Sequence, residues 1–339
     1  MIPPARPRSS FTKGGKPMKR LWALTGLAAA ALAWAPFAAH AEDAYPSRDI
    51  HVVCAFPAGS GADVLVRFFG DKLQKVTGQT VIVENRTGAN GNIAARYVAR
   101  AKPDGYTIYI HAGSSTAANY SLFKNPPIDP RKDLQVVATL NQQPFMVLVP
   151  ADSPYKTLGE LTEAMKKKGD KANYASSNTS GTVLGQLYAQ ATGVKAVEIH
   201  YRTGADTLND FKSGRLDYGM MDPVYALSQA KAGRVRMLAV ATAERMKAVP
   251  EIPTMKEQGI DIELPSWFAA MVPAKTPKAI VDKLNADFNK IEQMPDTVAF
   301  LAKFGGDPFI TTPAEGQALM KKAVDDWAKY VEIAKIPKT

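Results

Sequence analysis

The chain has one cysteine and four histidines in 339 residues. A single thiol can form no internal disulfide and cannot build a thiolate metal site. Cys54 sits inside an apolar run, which suits a buried and inert thiol. His40 lies near the amino end, while His51, His111 and His200 are far apart and none falls in a close metal-ligand spacing. Neither a metal nor a cofactor is expected. The glycine motifs of nucleotide sites are also missing: Gly59-Ser60-Gly61 is followed by Ala62, Asp63 and Val64, so the third glycine of G-x-G-x-x-G is absent, and no G-K-[ST] occurs. The nucleophile elbow G-x-S-x-G is absent too, and no spacing singles out a catalytic triad.

Acidic residues are missing from one region only. Residues 1–41 carry six basic residues and no acidic one, and they end in the apolar stretch "LWALTGLAAAALAWAPFAAHA". A basic segment, an apolar segment and an A-x-A end describe a secretory signal peptide cleaved after Ala41. A membrane anchor is the competing reading, but the stretch is short, Pro36 interrupts it and polar sequence follows at once. Met18-Lys19-Arg20 reads as a more natural start than Met1. Of the net charge of +10, the leader holds six charges, leaving 36 basic and 32 acidic residues beyond it. The basic balance therefore gives no case for nucleic acid.

What is present is alternation. "IHVVCAF" is a near-continuous β-prone run, as in a strand covered on both faces. It is followed by a Gly-Ser-Gly loop and then by "ADVLVRFFGDKLQKVTG", with Leu65, Phe68, Phe69, Leu73 and Val76 at helical spacing and Gly78 as a stop. "TVIVEN" is a second strand, "RTGANGN" a second glycine loop, "IAARYVARAKP" a helix and "YTIYIH" a third strand. Strand, loop, helix and strand in repetition imply right-handed βαβ units. "LQVVATLNQQPFMVLVP" supplies two more strands. A second α/β set follows, including a helix over "GADTLNDFKSG", and the strand "WFAAMVP" and helices near 277–292, 295–304 and 313–335 complete the chain. The expected architecture is two α/β lobes, each a mostly parallel sheet flanked by helices. Residues 42–142 and 265–339 form the first lobe, and 143–264 form the second, an insertion bounded by two crossings near 141–146 and 263–268. A ligand cleft is expected between the lobes, at the carboxyl ends of strands.

Three loops, 57–62, 87–92 and 177–182, are rich in Gly, Ser, Thr or Asn and each opens a helix. Helix N-termini present unpaired N–H groups and partial positive charge, so they hold carboxylates or phosphates without lysine or arginine. For 57–62 and 177–182 ligand contact is expected, because each follows a strand in a different lobe. For 87–92 plain capping is preferred. His111 and His200 each end a strand and could line a cleft, and for both the preferred reading is a polar strand end satisfied by backbone. Asp63 is expected to stabilise the first helix dipole more than to touch a ligand.

"YPSRDIHVVCAFPAGSGADVLVRFFGDKLQKVTGQTVIVENRTGANGNIAARYVARAKPDGYTI" closely resembles the start of the Bug-type (TctC-like) periplasmic solute-binding proteins of tripartite tricarboxylate transporters. "NYASSNTSGT", "HYRTGADTLNDFKSGRLDYGMMDP", "KAGRVRMLAVAT", "VPEIPTMKEQG" and "SWFAAMVPAKTP" extend the resemblance over residues 45–335. It implies a two-lobed periplasmic binding protein fold that closes around a small organic acid. It implies a monomer in the periplasm that delivers its ligand to inner-membrane permease subunits, and no catalysis. Carried over by position, the implied binding residues are Phe56, Pro57, Ala58, Gly59, Ser60, Gly61, Ala62 and Asp63, with Ser114, Ser115 and Thr116 on the same rim. Ser176, Ser177, Asn178, Ser180, Gly181, Thr182 and Val183 stand opposite, and Tyr201 and Asp222 end strands in the second lobe. Family members often have threonine at the position of Ala62 and histidine at that of Val183. These two apolar replacements suggest a ligand with an apolar, even aromatic, body instead of citrate. A receptor feeding a sensor, or an enzyme on the same fold, are the alternative readings.

Overall fold

The computed structural model describes residues 45–201 and 204–339, so the leader read over 1–41 and the alternative start at Met18 lie outside the described residues. In the first lobe β1 (Ile50–Cys54) leads through a turn into α1 (Gly61–Thr77). Ser60 Oγ caps α1 by accepting from the Asp63 N–H at 3.2 Å, and Gly78 ends it in the left-handed conformation. Between the caps, Leu65, Phe69 and Leu73 of the expected stripe are buried together with Val66, while Phe68 and Val76 are only partly buried at its edge. Each such side chain is worth roughly 1.5–3 kcal/mol when removed from water. There follow β2 (Val81–Asn85), α2 (Asn92–Ala99), β3 (Thr107–Ala112), α3 (Gly113–Leu122), the single turn α4 (Pro130–Asp133) and β4 (Leu134–Gln143).

The chain then enters the second lobe at β5 (Met146–Pro150). There it forms α5 (Leu158–Lys168), β6 (Asn173–Ser176), α6 (Thr179–Thr192), β7 (Val197–His200), α7 (Leu208–Lys212), β8 (Tyr218–Met221), α8 (Pro223–Lys231) and β9 (Val235–Val240). It returns to the first lobe as β10 (Ser266–Pro273) and ends in α9 (Lys278–Glu292), α10 (Pro295–Lys303) and α11 (Pro313–Ile333). The helix expected over "GADTLNDFKSG" is only a 3-10 turn at Gly204–Thr207 followed by the five residues of α7.

The two sheets have orders β2-β1-β3-β10-β4 and β7-β6-β8-β5-β9. Each has four strands in one direction and one reversed, β10 in the first sheet and β5 in the second. The reversal follows from the crossings. A strand entered from the other lobe starts at the cleft and runs away from it, whereas its neighbours end there. Each sheet is therefore mixed in its pairing, although its strands run mostly parallel.

Successive residues of β1 explain its near-continuous apolar sequence. Ile50, Val52 and Cys54 face one core, while Val53 faces another that continues through Tyr109, Trp267 and Trp327 into Val147 and Tyr174 of the second lobe. Cys54 is buried and free, and burial pushes its thiol up to about 11, so it is protonated and unreactive at neutral pH.

Helix α3 had no periodic signal in the sequence. Apart from Ala117, Ala118 and Leu122 its residues are poor helix formers, and packing against α11 and β10 stabilises it. Gly113 starts it where a Cβ would lie 2.0 Å from the Trp267 ring, so no larger residue fits without repacking. Helix α11 packs on α3 and β4 and also reaches α6 of the second lobe. No described helix is long and apolar enough to cross a membrane.

Candidate functional site

The carboxyl ends of β1, β3 and β6 open onto one cavity of about 720 Å³, lined from both lobes. After β1, Phe56 and Pro57 form its first edge. The Ser60 N–H donates to the Pro57 carbonyl at 3.1 Å, and Gly59 takes φ +80°, closing a tight turn before α1. Phe56 and Pro57 face the cavity, whereas Ala58, Gly59, Ser60, Gly61 and Ala62 do not line it. Ala62 is half-buried and packs against the core beneath α1.

Asp63 also points away from the cavity. Its carboxylate accepts from the Gly59 N–H at 2.8 Å, from Asn85 Nδ2 at 2.7 Å and from Arg67 Nε at 2.9 Å. Burial alone would push this carboxyl up; the bonds from Asn85, Gly59 and Arg67 outweigh it and hold the group down at about 2. Asp63 thus pins the turn and is spent in doing so.

The loop read as plain capping lies on the cavity wall instead. Thr87, Gly88, Ala89, Asn90 and Gly91 line it. Gly88, Ala89, Asn90 and Gly91 all have positive φ, and Asn119 Nδ2 on α3 donates to the Asn90 carbonyl at 2.8 Å. Sequence spacing could not separate capping from lining, because both use the same small residues. His111 forms part of the same wall, where the preferred reading was a strand end satisfied by backbone. Its ring is 3% exposed and has no hydrogen-bond partner among the described residues, so that reading is corrected. Ser115, in the first turn of α3, lines the cavity as well. Ser114 is buried opposite Ser266, and Thr116 donates back to the Ala112 carbonyl within its helix, so neither reaches the space.

The second lobe contributes the start of α6. Asn178 Oδ1 accepts from the Gly181 N–H at 3.0 Å, which leaves the Thr179 and Ser180 N–H groups without intrahelical acceptors. Ser177, Asn178, Thr179 and Ser180 all face the cavity. Gly181 does not, but it sets the position of the others: a Cβ there would lie 2.5 Å from the Met220 carbonyl oxygen. Val183 is fully buried in the core of this lobe. With Ala62 it therefore gives no information on the ligand, and the inference of an apolar ligand body from those two positions falls.

Ser176 and Thr182 are engaged internally. Both hydroxyls donate to Glu198 Oε1 at 2.5 Å, and Ser176 Oγ lies 2.9 Å from His200 Nδ1. Serine, histidine and glutamate here do not have the arrangement of a hydrolytic triad. The acid takes the serine proton directly and lies on the same ring nitrogen, 3.6 Å from Nδ1, whereas a triad places it on the opposite nitrogen. Ser176 is also fully buried. Tyr201 donates to Asp210 Oδ2 at 2.5 Å, and Asp222 caps α8 by accepting from the Tyr225 N–H at 3.0 Å; burial pushes the Asp222 carboxyl up. Neither lines the cavity.

Aromatic side chains distant in sequence complete the site: Phe145 at the first crossing and Trp327 on α11. Leu122 adds further apolar surface. Among the described residues lining the cavity there is no lysine, arginine, aspartate or glutamate. The polar groups are hydroxyls, amides, imidazoles and backbone N–H. Such a set can hold an anion by directed donors and helix ends, with the aromatic surface taking an apolar body.

Comparison with known proteins gives a consistent result. Residues 65–336 match the family model described as the tripartite tricarboxylate transporter family receptor. A UPF0065 protein of Bordetella bronchiseptica is 33% identical over 295 residues, covering 86% of this chain and 87% of its own. Among solved structures, R. palustris Rpa4515 with adipate superposes with a TM-score of 0.73 at 28% identity, covering 86% of this chain and 99% of that one. The periplasmic binding protein BugD superposes with a TM-score of 0.69 at 30% identity, covering 87% of this chain and all of BugD.

Proposed function

Because the chain belongs to the tripartite tricarboxylate transporter receptor family, we propose that it is a periplasmic receptor that binds a small organic carboxylate and delivers it to an inner-membrane permease. The observation that carries this reading is the composition of the cavity between the lobes. Uncharged donors at the start of α6 and along the first lobe surround a surface that includes Phe56, Phe145, Leu122 and Trp327. A carboxylate is held by the free N–H groups of α6 and by hydroxyls, and its apolar body packs on the rings. The adipate in Rpa4515, a dicarboxylate with a methylene body, supports the same class of ligand.

Closure would be a hinge motion at the two crossings, between β4 and β5 and between β9 and β10, with no bond made or broken. The leader over residues 1–41 directs export and is removed after Ala41, leaving a monomer in the periplasm. The aromatic lining favours an acid with an apolar body over citrate, on grounds independent of Ala62 and Val183.

A thermal-shift panel of adipate, hexanoate, benzoate and citrate tests the reading. A saturable rise in Tm with the acid recovered unchanged supports it. Absence of any shift, or turnover of an acid, overturns the receptor, and tighter binding of citrate than of the other three overturns the apolar body.

A further inference from the structure

His111 is the one cavity-lining side chain among the described residues that is both buried and without a hydrogen-bond partner at either ring nitrogen. Buried polar groups are normally paired, and an unmade bond costs about 1–3 kcal/mol. The ring is nevertheless firmly placed. Phe56 packs on it with ring centroids 4.5 Å apart, and Tyr109 stacks on it at 5.2 Å. Gly91 lies against its edge, where a Cβ would come within 2.7 Å of Nε2. The Tyr109 hydroxyl donates to the Gly91 carbonyl, and Asn119 Nδ2 donates to the Asn90 carbonyl and to Asn92 Oδ1, so these groups are already committed, while Asn92 Nδ2 is itself buried without a partner among the described residues. Burial pushes the imidazole down to about 3, so it is neutral at physiological pH, with one N–H donor and one acceptor nitrogen.

The opposite lobe meets a ligand with hydroxyls and free N–H groups from Ser177 to Ser180. A ligand that spans the cleft thus meets a polar group from each lobe. Resting on the receptor reading above, we propose that His111 is a specificity-determining contact whose ring N–H bonds a second oxygen function of the bound acid. The site then selects acids with two oxygen functions separated by an apolar body over acids with only one. The ligand class is a dicarboxylate or hydroxy acid of modest length.

The test compares adipate with hexanoate, which lacks the second carboxylate, by calorimetry on the whole protein. The parent is expected to prefer adipate by about tenfold or more, and His111→Leu to bring the two acids within about threefold of each other. His111→Gln, which keeps a donor, is expected to restore part of the preference. A preference left unchanged by His111→Leu overturns the proposal while leaving the receptor reading intact, whereas a parent that binds neither these acids nor benzoate overturns both. A second measurement needs no folded variant: in the parent labelled with [15N]histidine, saturating adipate shifts the His111 ring nitrogen signals well beyond those of His51. Unmoved His111 signals at saturation overturn the proposal.

Discussion

Glu292, the last residue of α9, is fully buried in the first lobe, far in sequence from any cavity-lining loop. Its Oε2 accepts from the Phe309 N–H at 2.9 Å, and its Oε1 has no partner among the described residues. Burial pushes its carboxyl up from 4.5 to about 9, and the bond from Phe309 opposes this only weakly. The folded protein therefore holds Glu292 protonated at neutral pH, while the unfolded chain ionises it. Since the folded value is the higher, the stability associated with the proton is complete below pH 4.5 and is lost as pH rises through 9. Each pH unit above 4.5 costs about 1.4 kcal/mol, which amounts to about 3 kcal/mol at pH 7. Glu292→Gln keeps an acceptor for Phe309 and removes the titration. The stability of this variant relative to the parent should accordingly rise by about 3 kcal/mol between pH 4 and pH 7. Urea unfolding of both proteins, followed by the fluorescence of the buried Trp267 and Trp327, measures that difference at each pH. Other titrating groups are common to both proteins and cancel. A stability difference that stays flat from pH 4 to pH 8 would show that Glu292 is ionised in the fold and would refute the reasoning.

Two further perturbations address the cavity walls. Asp63→Asn leaves the donors of Gly59, Asn85 and Arg67 facing an amide, and is expected to cost about 2–3 kcal/mol in a thermal melt. Its carboxyl is held below its unfolded value of 3.8, so its contribution is complete above that pH and is lost as pH falls through about 2. Gly181→Ala forces a methyl against the Met220 carbonyl and should cost about 1–3 kcal/mol. It should also weaken adipate binding, because the first turn of α6 must shift; a variant with the parent's Tm and affinity would show that this contact relaxes freely.

The framework was largely legible before folding because its signals are local. The apolar run of β1 reflects burial on both faces, and the stripe from Leu65 to Leu73 with Ser60 and Gly78 at its ends marks a helix and its caps. Asn178 and Gly181 announce the start of α6 in the same way. Helix α3 was not legible, since most of its residues have low helix propensity and its stability comes from Trp267 and α11, both far along the chain.

The site divides along the same line. Sequence alone indicated small, donor-rich turns after strands in two lobes, because glycine, serine and asparagine are needed wherever backbone approaches a ligand or starts a helix. It could not tell which of these residues face inward. Asp63 and Thr182 carry polar groups that the protein itself consumes, through Asn85 and Glu198. Phe145 and Trp327 reach the cavity only because a chain crossing and a C-terminal helix bring distant segments to its wall, and only the folded structure leaves the strand-end His111 there without a partner among the described residues. Local propensity and patterning determined the elements; long-range packing decided which side chains line the cleft, since hydrogen-bond partners and burial exist only once the chain has folded.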